Sequence, residues 1–148
     1  MSATVAQRPI DPTLFTWPSA QPRLVGSRCR ACGIHTFPAQ HGCPACGEVG
    51  MERTELADRG TVWTWTTQDF LPKAPYTGPE TEEDFAGYLV AYVELPGQVR
   101  VETRLVDVDR TAVSIGMPVE LVIVPFRTDA DGVEVVTYAF RPSTDGAS

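Results

Sequence analysis

The chain has 148 residues, of which 43% are hydrophobic and 21% charged, and its formal net charge is −7. This length predicts one compact domain, or a small domain with an appendage, and the longest apolar runs, at 88–93 and 121–126, are too short to span a membrane. The acidic groups are concentrated in residues 61–148. That argues against a nucleic-acid partner, because affinity for phosphate backbones comes from clustered Lys and Arg.

Residues 1–22 are predicted to form an N-terminal arm. They contain no apolar stretch of the kind that signal peptides carry, so we expect the protein in the cytoplasm. Residues 1–9 show no pattern of regular structure and are expected to be a disordered lead. Asp11 followed by Pro12 is a typical helix start, and a short helix is expected to run up to Pro18.

The next segment contains every cysteine of the chain, in two Cys-x-x-Cys pairs separated by ten residues: Cys29, Cys32, Cys43 and Cys46. Each pair lets two thiolates reach one ion from a tight turn, and a glycine directly after each pair supplies the turn's left-handed corner. Four sulfur ligands fill a tetrahedral Zn²⁺ and leave no open position. The spacing therefore predicts a structural zinc site in a zinc ribbon at residues 23–56.

Other chemistry for these cysteines is less consistent with the sequence. Two disulfides would need an oxidising compartment, and a redox pair would use one Cys-x-x-Cys and not two. An iron–sulfur cluster remains open, since it also takes four thiolates. His35 and His41 lie between the two pairs, and we interpret both as loop residues and not as ligands.

After residue 57 the pattern changes to strands with alternating or continuous apolar residues and short turns. The predicted strands of the ribbon are 24–28, 34–37 and 48–55, and those of the following domain are 61–67, 88–95, 98–105, 119–126 and 133–141. Five such strands over residues 57–141 predict a five-stranded Greek-key barrel of the OB type. Its strand at 61–67 is expected to place Trp63 and Trp65 on the same side.

Two connections and the C-terminal tail complete this prediction. A turn is expected at 107–115, where OB folds usually have a helix. Residues 68–86 form an unusually long loop with several prolines and aromatics, and loops of this length in compact domains are usually functional or disordered. The tail at 142–148 is small and polar and is expected to be disordered.

The sequence offers no convincing catalytic set. Both histidines lie in the ribbon, so the barrel has no histidine base, and all four cysteines are expected on zinc. Carboxylates such as Asp69, Glu94 and Glu102 could do acid–base work, but any chain this acidic has such candidates. The chemistry is therefore expected to belong to a partner chain.

The order of these motifs resembles a zinc-ribbon plus OB-fold family associated with acyl-CoA metabolism, long labelled a domain of unknown function. The resemblance covers residues 11–141 and is carried by Leu24-Val-Gly-Ser-Arg-Cys29-x-x-Cys32-Gly, Phe37-Pro, Cys43-Pro-x-Cys46-Gly, Gly60-x-Val62, Val93-Glu-Leu95 and Ile115-Gly-Met-Pro-Val119-Glu. It implies a mainly β fold with an N-terminal helical arm, a rubredoxin-like zinc ribbon and a C-terminal OB-type barrel. It also implies an accessory subunit that binds a thiolase-superfamily enzyme, such as the thiolase-like aldolases that shorten steroid side chains.

The resemblance gives the expected function: a non-catalytic subunit that docks on a thiolase-like enzyme and helps to form its acyl-CoA site in steroid or fatty acyl-CoA degradation. Partner or acyl-chain contacts are expected at Phe15, Trp17, Phe70 and Tyr76. Phe15 and Trp17 could equally close a lid on their own domain.

Two alternatives remain, a single-stranded nucleic-acid-binding protein and a free-standing acyl-CoA carrier. The sequence argues against the first because it shows no aromatic face interleaved with Lys or Arg.

Overall fold

The computed structural model describes residues 6–143, which are built mainly from β-strands. In chain order the strands are β1 (Gln7–Pro9), β2 (Val25–Arg28), β3 (His35–Thr36), β4 (Glu52–Glu55), β5 (Arg59–Gln68), β6 (Tyr88–Glu94), β7 (Arg100–Leu105), β8 (Pro118–Thr128) and β9 (Glu134–Pro142). Strands β3, β2 and β4 form a small antiparallel sheet in that order, and the remaining strands form a larger sheet. The predicted mainly β fold is confirmed.

Five strands of the larger sheet close into a barrel in the order β5-β6-β7-β9-β8, which returns to β5. Neighbours are antiparallel except β7 and β9, which run parallel where Leu105 lies opposite Phe140. Strand β8 closes the barrel because it pairs with β9 along most of its length and with β5 at its start. Closure removes the free edges of a small sheet, as in OB folds, so the predicted barrel type is confirmed.

The closing contact between β5 and its neighbours depends on Gly60. A Cβ added there would lie 2.3 Å from the carbonyl oxygen of Glu94, a backbone atom that cannot swing away. We therefore expect Gly60→Ala to lower the free energy of unfolding by about 1–3 kcal/mol, as overpacking does in well-packed interiors. Urea unfolding would measure this, with Gly42→Ala as the control because the nearest atom to its Cβ is 3.9 Å away. Equal midpoints for the two variants would contradict the prediction.

A β-bulge in β5 separates the two tryptophans that were expected on one side. The pairing with β6 shifts between Val62 and Thr64, so Trp63 is the extra residue. Trp65 lies opposite the buried Ala91 and packs against the core, whereas Trp63 is 44% exposed on the outside of the barrel. The predicted alternation was wrong at this point because strict alternation of side chains along a strand does not account for an inserted residue.

One hydrophobic core joins the arm, the base of the ribbon and the barrel. Barrel residues such as Val93, Val101 and Phe140 are at most 1% exposed. Phe15 from the arm and Leu24 from the ribbon belong to the same buried cluster. The ribbon is therefore held to the barrel by shared apolar packing as well as by chain connectivity.

The predicted short helix of the arm is wrong. Asp11 accepts hydrogen bonds from both the backbone N–H and the hydroxyl of Thr13, which gives a tight turn, and the N–H of Leu14 donates to the Asp11 carbonyl. The chain then becomes extended, since Phe15 forms an antiparallel bridge with Leu24. The side chain of Asp11 thus competes with helix formation, as short polar side chains often do.

Part of the expected disordered lead is ordered. Strand β1 pairs in parallel with β9 and extends the larger sheet by one strand. The side chain of Gln7 donates to Glu134, and Arg8 forms an ion pair with Asp129. Residues 1–5 of the lead lie outside the described residues.

The expected turn at 107–115 is a 3-10 turn over Arg110–Ala112, capped by the side chain of Asp109. Residues 69–87 connect β5 to β6 without a strand or α-helix. Most of the predicted tail, from residue 144 onward, lies outside the described residues, while Pro142 ends β9. No helix in the described part of the chain is long and apolar enough to cross a bilayer.

Candidate metal centre and the surfaces beside it

The four cysteine sulfurs converge on one point between the two knuckles. All lie within 4.8 Å of one another. Two sulfur pairs, Cys29–Cys46 and Cys32–Cys43, are 3.6 and 3.5 Å apart. Zinc–sulfur bonds of about 2.3 Å in a tetrahedron place sulfurs about 3.8 Å apart, so the arrangement has the size of a tetrathiolate zinc site. The same distances are far longer than the S–S bond of about 2.05 Å, which excludes disulfides in this arrangement.

Each knuckle is a local turn that its own sequence specifies. The N–H of Gly33 donates to the carbonyl of Cys29, and the N–H of Gly47 donates to that of Cys43, both at 2.9 Å. Both glycines have positive φ, 80° and 78°, a region that glycine adopts without steric cost. The two loops thereby present their sulfurs from opposite sides of one centre.

Backbone N–H groups aimed at the sulfurs favour the thiolate form. The N–H of Cys32 lowers the pKa of the Cys29 thiol to about 6, against an opposing effect of burial. The N–H of Cys46 likewise lowers the pKa of Cys43. Thiolates are the forms that bind metals, so the turns prepare half of the ligand set for an ion.

The residues present therefore fit a structural zinc ion held by Cys29, Cys32, Cys43 and Cys46. Cys29 and Cys43 are buried, whereas Cys32 and Cys46 are exposed on the outer side of the knuckles. The candidate metal-binding group in the described residues contains these four cysteines and neither histidine. Zinc bound here would hold the ribbon together and, with four thiolate ligands, would have no position for a substrate.

The first pair of predicted contact residues lies largely inside the protein. Phe15 is 2% exposed in the shared core, and Trp17 packs partly buried against it, with the two rings 6.5 Å apart edge to face. This placement matches the lid alternative for Phe15. A contact role for Trp17, whose ring is only partly buried, stays a prediction.

The second pair, Phe70 and Tyr76, lies on the long loop at 69–87. Phe70 is 81% exposed. The Tyr76 hydroxyl donates to Glu80 at 2.8 Å and accepts from Arg104 at 2.8 Å, which ties the loop to β7. Their role in partner contact stays a prediction, and the structure adds that Phe70 is free to make one.

Two further hydrogen bonds from the barrel hold this loop. Arg110 forms a 2.8 Å ion pair with Asp69 at its start, and Arg127 donates to Thr77 at 3.0 Å in its middle. The same Arg110 contact lowers the pKa of Asp69. A carboxyl held in its ionised form by a guanidinium is a poor proton donor, which weakens Asp69 as an acid catalyst.

Sequence reasoning missed an aromatic face with interleaved arginines on the outside of the barrel. Arg104 stacks over the ring of Tyr88 at 3.6 Å, and Arg100 stacks over Trp63 at 4.0 Å. The sequence argument that no such face exists was therefore wrong. The sequence signal for this aromatic face was the spacing of Arg100 and Arg104 on β7. Alternation along a strand places both side chains on one face, next to the tyrosines of the neighbouring strand β6.

Tyr138 borders the same face, and its own side chain is largely buried there, which changes its pKa. Burial, followed by the nearby Glu102 charge, raises the pKa of Tyr138 to about 12. The neutral hydroxyl donates to the Glu102 carbonyl at 3.1 Å. Since the folded pKa lies above the ordinary value of 10.0, this stabilisation is complete below pH 10 and is lost as pH rises through 12.

We therefore expect Tyr138→Phe to lose less stability than the parent chain between pH 9 and pH 11. Urea midpoints at the two pH values would show this, with Tyr138→Phe compared against the parent at each. A parallel decline of both proteins would mean that Tyr138 does not ionise on unfolding as described.

Fold and centre together define a zinc-ribbon protein with an OB-type barrel. Family models match both parts: "ChsH2, rubredoxin-like zinc ribbon domain" at residues 17–52, and "ChsH2, C-terminal OB-fold domain" at residues 53–124. The chain belongs to this DUF35 family of ChsH2-type zinc-ribbon and OB-fold proteins.

The chain is similar to three proteins that carry a name or a solved structure. A DUF35 domain-containing scaffold protein of Methanothermobacter thermautotrophicus is 32% identical over 136 residues, which are 89% of this chain and 97% of the relative. The benzoylsuccinyl-CoA thiolase subunit BbsA of Thauera aromatica is 29% identical, over 81% of this chain and 76% of the subunit. A solved structure, the Ltp2-ChsH2(DUF35) aldolase, contains a chain that is 32% identical with a TM-score of 0.58, over 81% of this chain and 84% of that one.

Proposed function

We propose that this chain is a non-catalytic accessory subunit of a thiolase-like enzyme that processes an acyl-CoA. It docks on that enzyme and helps to form or stabilise the acyl-CoA site. The proposal extends to degradation of steroid side chains or fatty acyl chains, with retro-aldol cleavage as the reaction of the partner.

The observation that carries this proposal is the length of the matches. Similarity to a scaffold protein extends over nearly the whole of both chains, and similarity to a chain of the Ltp2-ChsH2(DUF35) aldolase extends over more than four-fifths of each. BbsA, by its name, is a subunit of a thiolase. Both the ribbon and the barrel are therefore shared with proteins named as scaffolds or subunits.

The geometry supports a docking role. A closed four-sulfur centre has no place for substrate, so it serves to hold a rigid platform. On the barrel, the loop at 69–87 presents the exposed Phe70 while Arg104, Arg110 and Arg127 fix its course. An exposed aromatic on a loop with fixed anchors loses little entropy when a partner covers it.

Docking would act on the partner in two ways. Packing of this platform would order the loops around the partner's acyl-CoA entrance, since catalytic groups work best when held in place. The loop at 69–87 would also supply apolar surface to a steroid or fatty acyl chain.

Co-expression with a thiolase-like enzyme encoded beside this chain tests the proposal. We expect both chains to elute together in size-exclusion chromatography. Phe70→Ala is expected to weaken the complex, while Ile115→Ala, another exposed apolar residue that lies on the turn before β8, is the matched control. Separate elution of the unmodified chains at micromolar concentration would refute the docking role.

The nucleic-acid alternative gains one observation from the structure, the arginines stacked on aromatic rings outside the barrel. Single-stranded nucleic acids bind such faces by stacking of bases. A salt titration with oligonucleotides separates the alternatives, because nucleic-acid binding weakens steeply with salt. The net charge of −7 opposes this alternative.

A further inference from the structure

A groove lies between the outer face of the barrel and the ribbon. It has a volume of about 540 Å³, within the range of small-molecule sites. Its floor comes from the outward residues of β6 and β7, and its walls come from Phe37 and Pro38 of the ribbon and from Phe126 and Tyr138 of the barrel. Phe37 and Tyr138 contact edge to face at 5.5 Å, which fixes one wall.

One end of the groove holds the Arg104 guanidinium, which reaches the Glu80 carboxylate only indirectly, through the Tyr76 hydroxyl. The Arg104 guanidinium lies 3.6 Å from the Tyr88 ring centre, and one of its nitrogens donates to the Tyr76 hydroxyl. Among the described residues, no carboxylate lies within ion-pairing distance of it. A guanidinium held flat by aromatic rings keeps N–H donors free at its edge, which is the geometry that binds phosphate in two places.

The other end of the groove has exposed aromatic surface. Tyr92 is 41% exposed and lies edge to face with Trp63, whose ring is covered by Arg100. Arg100 itself has a long ion pair of 3.6 Å with Glu94, with both side chains about half exposed. Such rings are platforms on which a planar base can stack.

A single carboxylate, Glu102, lies between these two ends on β7. Its Oε2 is 3.5 Å from the Tyr92 hydroxyl. A carboxylate repels a ligand that is anionic along its whole length. It attracts the amino group of a base, which donates hydrogen bonds.

We propose that this groove binds a phosphorylated adenosine. The phosphate would lie at Arg104, the adenine would stack on Tyr92, and its amino group would donate to Glu102. This inference deepens the proposed function and rests on it for the source of the ligand. Two sources share the chemistry, the nucleotide end of coenzyme A and a free adenine nucleotide.

Calorimetry on the zinc-loaded full chain tests the site. The probes are coenzyme A, adenosine 3′,5′-bisphosphate and ADP. We expect Arg104→Met to weaken the binding of each nucleotide at least about tenfold, the size of one lost charge-assisted hydrogen bond. Arg53→Met, on strand β4 away from the groove, is the matched control and should bind as the parent does.

A second variant covers the case in which Arg104→Met disturbs the loop. Tyr92→Ala removes a half-exposed ring and should weaken adenosine 3′,5′-bisphosphate at least about fivefold, as loss of base stacking does, while leaving the weak binding of pyrophosphate unchanged. Circular dichroism would confirm that both variants are folded.

The outcomes separate the sources and the two proposals. Tighter binding of coenzyme A and the bisphosphate than of ADP identifies the nucleotide end of coenzyme A, and the reverse order identifies a free nucleotide. No binding of any of them, equal binding by parent and variants, or preference for a single-stranded oligonucleotide would overturn the inference. Co-elution of Tyr92→Ala with the thiolase-like enzyme shows in the same samples whether the docking role stands independently.

Discussion

Replacing Cys29 or Cys43 with serine should remove the metal and unfold the ribbon. The backbone N–H groups that reach these two buried sulfurs favour the thiolate that binds zinc, whereas a serine hydroxyl stays protonated and offers no thiolate. Structural zinc contributes on the order of 10 kcal/mol to the folding of small zinc domains. Elemental analysis should fall from one zinc per chain to none, and the complex with the thiolase-like partner should be lost.

His41→Ala is the control for this experiment. The backbone carbonyl of His41 accepts two hydrogen bonds in the second knuckle, but its side chain is outside the sulfur cluster. The variant should therefore keep both zinc and partner. Full zinc content in Cys29→Ser, or metal loss in His41→Ala, would show that the ligand set is wrong.

Replacing Phe15 with alanine should have the largest effect of any change in the arm. Phe15 is 2% exposed and packs in a core shared by arm, ribbon and barrel. Burial of this kind predicts a loss of about 3–5 kcal/mol in the free energy of unfolding, because the substitution leaves a cavity. Urea unfolding followed by tryptophan fluorescence measures it.

Phe70→Ala is the matched control, since it deletes the same side chain from a position that is 81% exposed. Its stability should stay within about 0.5 kcal/mol of the parent chain, as for most surface changes. Its effect is expected on partner binding instead. A small stability loss in Phe15→Ala would mean that the arm is not part of the core.

The zinc centre could be predicted from sequence because it is local. Each Cys-x-x-Cys-Gly knuckle closes through hydrogen bonds within five residues, such as that from Gly33 to Cys29, so spacing alone defines it. The barrel strands were predictable for a similar reason, since alternation of buried and exposed residues is a property of each strand separately. The number of these strands and their short turns predicted closure into one barrel, and the family resemblance implied the same fold.

What the sequence did not reveal depends on register between distant segments. The bulge at Trp63 and the parallel pairing of β1 with β9 become visible only once partners are known. The same holds for the aromatic face, because Arg104 meets Tyr88 only through the pairing of β6 with β7. The prediction of a helix in the arm was wrong for a local reason. Thr13 donates hydrogen bonds to the Asp11 side chain, and these bonds close a turn instead of starting a helix.

Acyl-CoA turnover by the separate and combined chains tests the central claim most directly. We expect this chain alone to leave an acyl-CoA unchanged, and the thiolase-like partner to work faster, or to be stable enough to assay, only when this chain is bound. Equal rates for the partner with and without this chain would contradict the account, and so would cleavage of an acyl-CoA by this chain unaided.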